Sequence, residues 1–363
     1  MSSITDPTIP EISWFSALCD DDYEFLGQPD PALASSWMHC SNIVQTADRN
    51  GFDNVLLPSG YTLGIDSTAF AAGIATQTDQ INLLLAVRMG EMHLPQLARQ
   101  LATIDQMAGG RLCINIISSD IPGEALDSAP RYQRTREWMQ VLRQLLNGQA
   151  IDFDGEFVDL ELDPPRIVEG ATSPPFYFGG FSPAAKDVAA AEADVFLTWP
   201  DTVSSVGDTV NEMTTLAAER YDRELIYGLR AHVIVRETEA EARSAAEHLV
   251  SKLDADTGDA IRNKSLDAAS FGVARQAALR EGAADDGFVE DNLWTGVGRA
   301  RSGAGAAIVG NPDQVAAKLQ AYQGVGIGAF ILSGYTHAAE CDLFAEHVLP
   351  KLAHAPIKPR FTH

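Results

Sequence analysis

Two basic residues stand two positions apart in the apolar run 228–235 (GLRAHVIV), so in an extended strand the side chains of Arg230 and His232 face the same side. In a closed interior they would repel each other and lose hydration unless an anion joined them. That spacing predicts an anion site. The plainer alternative is an arginine paired with a buried carboxylate beside a hydrogen-bonded core histidine. Tyr335 follows a second apolar run, 331–337 (ILSGYTH), and can bring a hydroxyl to the same place, with His337 beside it on the loop. Packing on the rim is the alternative for this tyrosine. Arg299 and Arg301 lie in the glycine-rich stretch 296–310, which could close over a ligand and deliver an arginine on closure. Solvated loop arginines are the alternative there.

A second anion site is read at Gly179-Gly180-Phe181-Ser182. Two glycines after a strand let the backbone approach a phosphate, and the helix predicted to start at Ser182-Pro183 turns its first N–H groups and the serine hydroxyl toward it. Ser-Pro also caps helices with no ligand. Asn115 and Ser118 at the end of one strand, and Trp199 at the end of another, offer an amide, a hydroxyl and an indole suited to the edge of a flat heteroaromatic ring. All three could equally be ordinary loop contacts. Arg88 and the pair Arg131-Tyr132 are further candidates for phosphate or ring contacts, although Arg88 could instead pair with Glu91.

The balance of 26 Lys+Arg against 50 Asp+Glu gives a formal charge of -24 over 363 residues. Such a surface repels phosphate backbones and anionic bilayers, so neither nucleic acid nor a membrane is an expected partner. An anionic substrate then needs a pocket that opposes the global field, which adds weight to arginines inside apolar strands. Cys19, Cys40, Cys113 and Cys341 are too few and too scattered for a disulfide scaffold or a zinc knuckle, and no metal centre is expected. The opening residues have no basic region followed by an apolar run, and no apolar segment reaches bilayer length, so a cytoplasmic, reduced protein is expected.

To place these residues the chain must alternate strands and helices. Eight strand candidates are read: ISWF, NVLLP, INLLLAV, LCINIIS, PFYFGG, DVFLTW, LIYGLRAHVIV and GAFILSG, with helical periods between them and a small hairpin at IDFDGEFVDLEL. Eight strands in this rhythm predict an α/β fold, a single (β/α)8 TIM barrel over residues 1–363 with an insertion. The insertion, at about 239–305, is read as helical, Ala-rich and charged, without a clear strand up to Asp291, and as ending in a mobile loop. A doubly wound open sheet shares the local pattern but would need a glycine fingerprint after the first strand, where this chain has Ala17-Leu18-Cys19-Asp20.

Several segments together resemble the bacterial luciferase-like flavin monooxygenases, specifically the alkanesulfonate monooxygenase branch. They are 47–60 (ADRNGFDNVLLPSG), 98–118, 153–160 (FDGEFVDL), 174–180 (PPFYFGG), 227–238 (YGLRAHVIVRET), 292–310 (NLWTGVGRARSGAGAAIVG) and 331–337, and the resemblance covers essentially the whole chain. It implies a barrel with an extra mobile insertion, served by a separate NAD(P)H-dependent flavin reductase that supplies reduced FMN (FMNH2). In such enzymes the reduced flavin reacts with dioxygen to form a peroxyflavin that oxygenates the carbon bearing a sulfonate, releasing sulfite and an aldehyde. By this resemblance Arg230, His232 and Tyr335 match pocket residues and Arg301 matches the arginine of the mobile loop. Tyr132 and Ser182 match positions near the flavin phosphate. A homo-oligomer, dimer or tetramer, is expected.

Two loops depart from that branch. After the first strand it has Thr-His-Gly-Asp, where this chain has Leu18-Cys19-Asp20-Asp21-Asp22; after the second it has Arg-Ser-Cys-Glu-Asp, where this chain has a longer loop, 61–67, without the cysteine. Extra carboxylates suit hydroxyl groups better than an alkyl chain. Asp20 and Asp66, with Arg299 and His337, are therefore read as substrate-binding, and a sulfonated sugar such as sulfoquinovose stands beside an alkanesulfonate as the expected substrate. A related monooxygenase with a non-sulfonate substrate, or a flavin-binding protein without turnover, are the alternatives.

Overall fold

The structure, a computed structural model of the chain, describes residues 9–60, 64–124, 126–165, 172–262, 270–301 and 303–358. The N-terminal tail, Tyr61 to Leu63 of the second loop, and Ser302 of the glycine-rich stretch lie outside the described residues. The chain runs β1 (Glu11–Phe15), α1 (Trp37–Arg49), β2 (Asn54–Leu57), α2 (Ser67–Ile74), β3 (Asn82–Arg88), α3 (Leu94–Met107), β4 (Leu112–Ile117) and α4 (Ser128–Leu146). A hairpin of β5 (Ile151–Asp154) and β6 (Asp159–Leu162) precedes β7 (Phe176–Gly179), α5 (Pro183–Glu192), β8 (Val195–Thr198), α6 (Val203–Tyr221) and β9 (Ile226–Val235). Then come α7 (Glu239–Val250), α8 (Ala255–Arg262), α9 (Phe271–Glu281), β10 (Phe288–Glu290), β11 (Leu293–Trp294), β12 (Ala307–Gly310), α10 (Pro312–Gly324), β13 (Ile327–Ser333) and α11 (His337–His347).

The eight strands expected from the sequence, β1, β2, β3, β4, β7, β8, β9 and β13, pair in parallel and close on themselves, β13 against β1 and β8 against β9. This is a (β/α)8 TIM barrel. Alternation along each strand sends Phe15, Leu56, Leu84, Cys113, Tyr177, Val195, Ala329 and Ile331 into one interior cluster, while the opposite faces pack on the surrounding helices.

β9 is the long strand and its length shapes the site. Its first residues pair with β8 only as far as Thr198 with Leu229, and from His232 to Val235 it pairs instead with β12. Arg230 therefore stands where β9 leaves one neighbour and takes another, at the C-terminal mouth of the barrel. The insertion was expected to lack a strand before Asp291, yet β10 lies at Phe288–Glu290 and, with β11 and β12, extends the sheet from the outer half of β9. Strands of two to four residues carry no readable period; they exist because β9 outruns β8 and leaves its edge to be paired. The insertion has its own apolar cluster, in which Leu249, Trp294 and Val309 pack with Tyr23 and Tyr335.

Candidate active site

Strand period places Arg230 and His232 on one interior face of β9, and register sets Ile331 and Ser333 of β13 beside them. Arg230 is buried. Its Nη1 donates to the Ala231 carbonyl at 2.6 Å and its Nη2 to Ser333 Oγ at 2.7 Å, and the guanidinium lies 4.5 Å above the Phe15 ring. Among the described residues no carboxylate lies within 4 Å of it, so the alternative of a buried Arg–carboxylate pair is not what the fold builds. Burial and the nearby Arg301 push its pKa down to about 9, which leaves it cationic at neutral pH.

His232 does not add a second charge. Burial, then the charges of Arg230 and Arg301, drive its pKa well below the ordinary value, so the imidazole is neutral. The repulsion expected of two basic groups is relieved by deprotonation. Ser333 Oγ accepts from Arg230, so its one proton goes to His232 Nδ1 at 2.9 Å. The ring proton then sits on Nε2, and the Ala304 backbone partly offsets the fall in its pKa. Tyr335 stacks on His232 with ring centroids 5.4 Å apart, and its buried hydroxyl has no hydrogen-bond partner among the described residues. Burial holds that hydroxyl protonated, and a buried donor without an acceptor invites one.

Arg301 does reach this place, but with its counter-ion: Nη1 lies 2.5 Å from Asp20 Oδ2. Burial opposes its charge, yet the Asp20 carboxylate beside it keeps it protonated. The acidic loop after β1 is engaged by the protein itself. Asp20 also accepts from Tyr23, Asp21 accepts from the Ser35 amide at 2.8 Å, and buried Asp22 takes the amide and Nδ1 of His337 and Nε2 of His39. Burial would raise Asp22, but His337 and His39 carry its pKa far below the carboxylate range. His337, expected on a loop, is the first residue of α11, buried against Phe15 with its carbonyl on Trp14 Nε1.

At Gly179–Ser182 the helix start forms as the cap chemistry predicts. Ser182 is the N-cap of α5, accepting from the Ala185 amide at 3.2 Å, with Pro183 in the first turn. A Cβ on Gly180 would come within 2.5 Å of Ala185 Cβ and 3.5 Å of the Tyr132 hydroxyl. Tyr132, Gly180 and the N-terminus of α5 thus make one cradle of donors suited to a phosphate. Trp199 is partly exposed at the end of β8, packed on Phe181 at 5.8 Å. Asn115 is half-buried on the interior face of β4, in register with Ala86 and Tyr177, and Ser118 accepts from Thr135 at 2.8 Å. Arg131 pairs with Asp120 rather than pointing into the cradle. Arg88 holds Ser119 at 2.6 Å and lies 3.6 Å from Glu91, the alternative read for it.

Two expected substrate residues sit apart from Arg230. Arg299 is exposed and donates to the Leu253 carbonyl at 3.2 Å, tying the insertion to itself; a polar loop arginine gave no hint of that direction. Asp66 caps α2 through the Ala69 amide at 2.6 Å, on the lip of a cleft of about 550 Å³ at the mouths of β2 and β3 that Ser59, Ser67, Thr68, Arg88 and Glu91 also line. Ser333, which orients His232, is not singled out by the sequence, although a serine two residues before Tyr335 on the same strand is an available signal; Asp22, read with Asp20 and Asp21 as a carboxylate for substrate hydroxyls, instead orients His337.

The profile of the family described as luciferase-like monooxygenase matches residues 25–328. A sulfoquinovose monooxygenase of Novosphingobium aromaticivorans is 60% identical over 355 residues, 96% of this chain and 98% of that protein. A sulfoquinovose monooxygenase of Agrobacterium fabrum is 51% identical over 345 residues, 94% of this chain and 89% of that protein. Among solved structures, a riboflavin lyase with modified FMN and riboflavin superposes with a TM-score of 0.73 at 14% identity, over 97% of this chain and 94% of that one.

Proposed function

The chain belongs to the luciferase-like monooxygenase family, and from that premise we propose that it is a two-component, reduced-FMN-dependent monooxygenase that releases sulfite from a sulfonated sugar of the sulfoquinovose type. The observation that carries this reading is Arg230: a buried guanidinium that, among the described residues, has no carboxylate, flanked by a neutral histidine and a tyrosine hydroxyl without a partner among them. A sulfonate supplies three anionic oxygens to such a set.

FMN fits the second corner, where Gly180, Ser182, Tyr132 and the start of α5 would hold its phosphate and Trp199 and Asn115 would edge its ring system. When bound in reduced form it supplies two electrons and activates dioxygen. In the net reaction the C–S bond breaks, one oxygen atom enters the aldehyde and the other leaves as water, and sulfite departs with its bonding pair. Arg230 holds the sulfonate and balances the charge that grows on the departing sulfite. Tyr335, kept protonated, donates a hydrogen bond at the reacting end. His232 and Ser333 lock the orientation of Arg230, and the insertion with Arg301 excludes water from the pocket. The sugar hydroxyls reach the polar cleft at the mouths of β2 and β3, which Ser59, Asp66, Thr68 and Glu91 line at its surface; this replaces the β1 loop carboxylates, which are tied to buried or part-buried partners.

A reductase drawing on NAD(P)H favours a cytoplasmic reading; among the described residues no helix is long and apolar enough to cross a membrane. A homo-oligomer completes the proposal. The test is sulfite release with an added flavin reductase, FMN, NADH and either sulfoquinovose or an alkanesulfonate of similar length. Turnover of the sugar sulfonate above the alkyl one is expected. The reverse preference would overturn the substrate, and no sulfite from either would overturn the reaction.

A further inference from the structure

α9 of the insertion turns one face to the rest of the molecule. Gly272, Gln276 and Arg280 recur every four residues and so align along the helix. Gly272 and Gln276 are buried, while the adjacent Phe271 is 66% exposed on the other side.

That face touches two separate loops. Toward β8, a Cβ on Gly272 would meet Trp199 at 2.6 Å and Phe181 at 3.0 Å, so the helix backbone lies directly on those two rings. Arg275 pairs with Asp201 at 2.7 Å and bonds Ser205 at 2.7 Å, and Gln276 Nε2 donates to the Pro200 carbonyl at 2.7 Å. Toward the segment that carries Arg301, the Gly305 amide donates to Gln276 Oε1 at 3.0 Å and Arg280 Nη1 donates to the Gly298 carbonyl at 2.9 Å. One buried amide thus bonds the residue after Trp199 and the residue before Ala306, whose carbonyl accepts from the His232 amide at 3.1 Å.

We propose that Gln276 is a positioning residue that couples the flavin-side loop at Trp199-Pro200 to the segment Arg301 and Gly303–Gly305 over the sulfonate site. Both ends of its amide are buried, so leaving either unpaired is costly and the two loops shift together. Settling of Trp199 against a bound ring then places Ala304 and Arg301 before the sulfonate arrives. The coupling rests on the flavin reading of the Gly180 corner.

The experiment uses the full chain and compares wild type with Gln276→Met, which keeps the bulk and removes both bonds. Anaerobic FMNH2 is titrated by fluorescence, and backbone exchange at Gly303–Gly305 is followed with and without it. In wild type FMNH2 slows that exchange at least tenfold. In Gln276→Met FMNH2 still binds within about threefold of wild type but slows the exchange less than about twofold, and KM for the sulfonate rises about tenfold while kcat changes far less. Should Gln276→Met not fold, Gln276→Glu carries the comparison, since it retains the acceptor for Gly305 and loses only the donor to Pro200. Equal protection by FMNH2 in wild type and variant would overturn the coupling, as would flavin binding to wild type with no change at Gly303–Gly305. Wild type that binds no FMNH2 at all would overturn the flavin reading itself, and the coupling with it.

Discussion

Arg301 Nη1 and Asp20 Oδ2, 281 residues apart in sequence, meet at 2.5 Å and join the loop after β1 to the segment ahead of β12. The pair sets the local charge: Asp20 answers Arg301, and among the described residues no carboxylate answers Arg230. Asp20→Asn would strand a second guanidinium in the same pocket. It is expected to lower stability by about 1–3 kcal/mol, since one partner of a mostly buried charge-assisted bond is removed. Urea unfolding at neutral pH measures this. A midpoint unchanged from wild type would show that the pair contributes nothing to the fold.

Arg230→Ala removes the anion site's charge and also leaves the Ser333 hydroxyl free to turn away from His232. A loss of at least tenfold in kcat/KM for sulfite release is expected, from about 2–5 kcal/mol for truncating a buried charged contact. Arg230→Lys should be impaired as well. An ammonium on a shorter reach cannot hold Ser333 and a sulfonate oxygen in one plane. Full turnover in either variant would remove the sulfonate from this face of β9.

At the other corner, Gly180→Ala adds a methyl 2.5 Å from Ala185 Cβ, closer than two carbons can stand, so the start of α5 must move. Affinity for FMNH2 is expected to fall at least tenfold, because the amides and the Ser182 hydroxyl are aimed by that turn. Ser182→Ala should cost less, about 1 kcal/mol, as the loss of an N-cap that also donates to a phosphate. Anaerobic flavin titration of both variants gives the order; Gly180→Ala with wild-type affinity would move the phosphate elsewhere.

The eight barrel strands, the shared face of Arg230 and His232 and the helix start at Ser182 were legible because they rest on local rules. Period two put Arg230 and His232 on one face, and Ser182-Pro183 announced a helix start. What sequence could not give is pairing over distance. Asp20 to Asp22 read as a solvated run fit for hydroxyl groups, whereas Arg301 engages Asp20, and His39 and His337 engage Asp22, from 17 to 315 residues away. Arg299 and Arg301 were indistinguishable in one glycine-rich stretch. Only the 3-10 turn Gly296–Arg299 decides that the first points back to Leu253 while the second reaches Asp20. The short strand β12 was hidden for a similar reason: its partner is the overhang of β9, which no window around residues 307–310 contains.

A last expectation concerns the closed end of the barrel, away from the site. Glu11 is buried there, accepting from the Tyr177 hydroxyl at 2.9 Å, the Ile357 amide at 3.0 Å, Ser13 Oγ at 3.2 Å and Asn54 Nδ2 at 3.3 Å. Burial lifts its pKa to about 7 from an ordinary 4.5, against those hydrogen bonds. The folded chain therefore holds this proton more tightly than the unfolded one. The stability it contributes is fully present below about pH 4.5 and is lost as pH rises through about 7, a change on the order of 3 kcal/mol from a shift of this size. Glu11→Gln keeps the shape and the acceptor but cannot ionise. The difference in unfolding free energy between variant and wild type, measured in urea at pH 5, 6, 7 and 8, should shift in favour of the variant as pH rises. A difference that stays flat across that window would mean that Glu11 is ionised, or protonated, alike in the folded and unfolded chain.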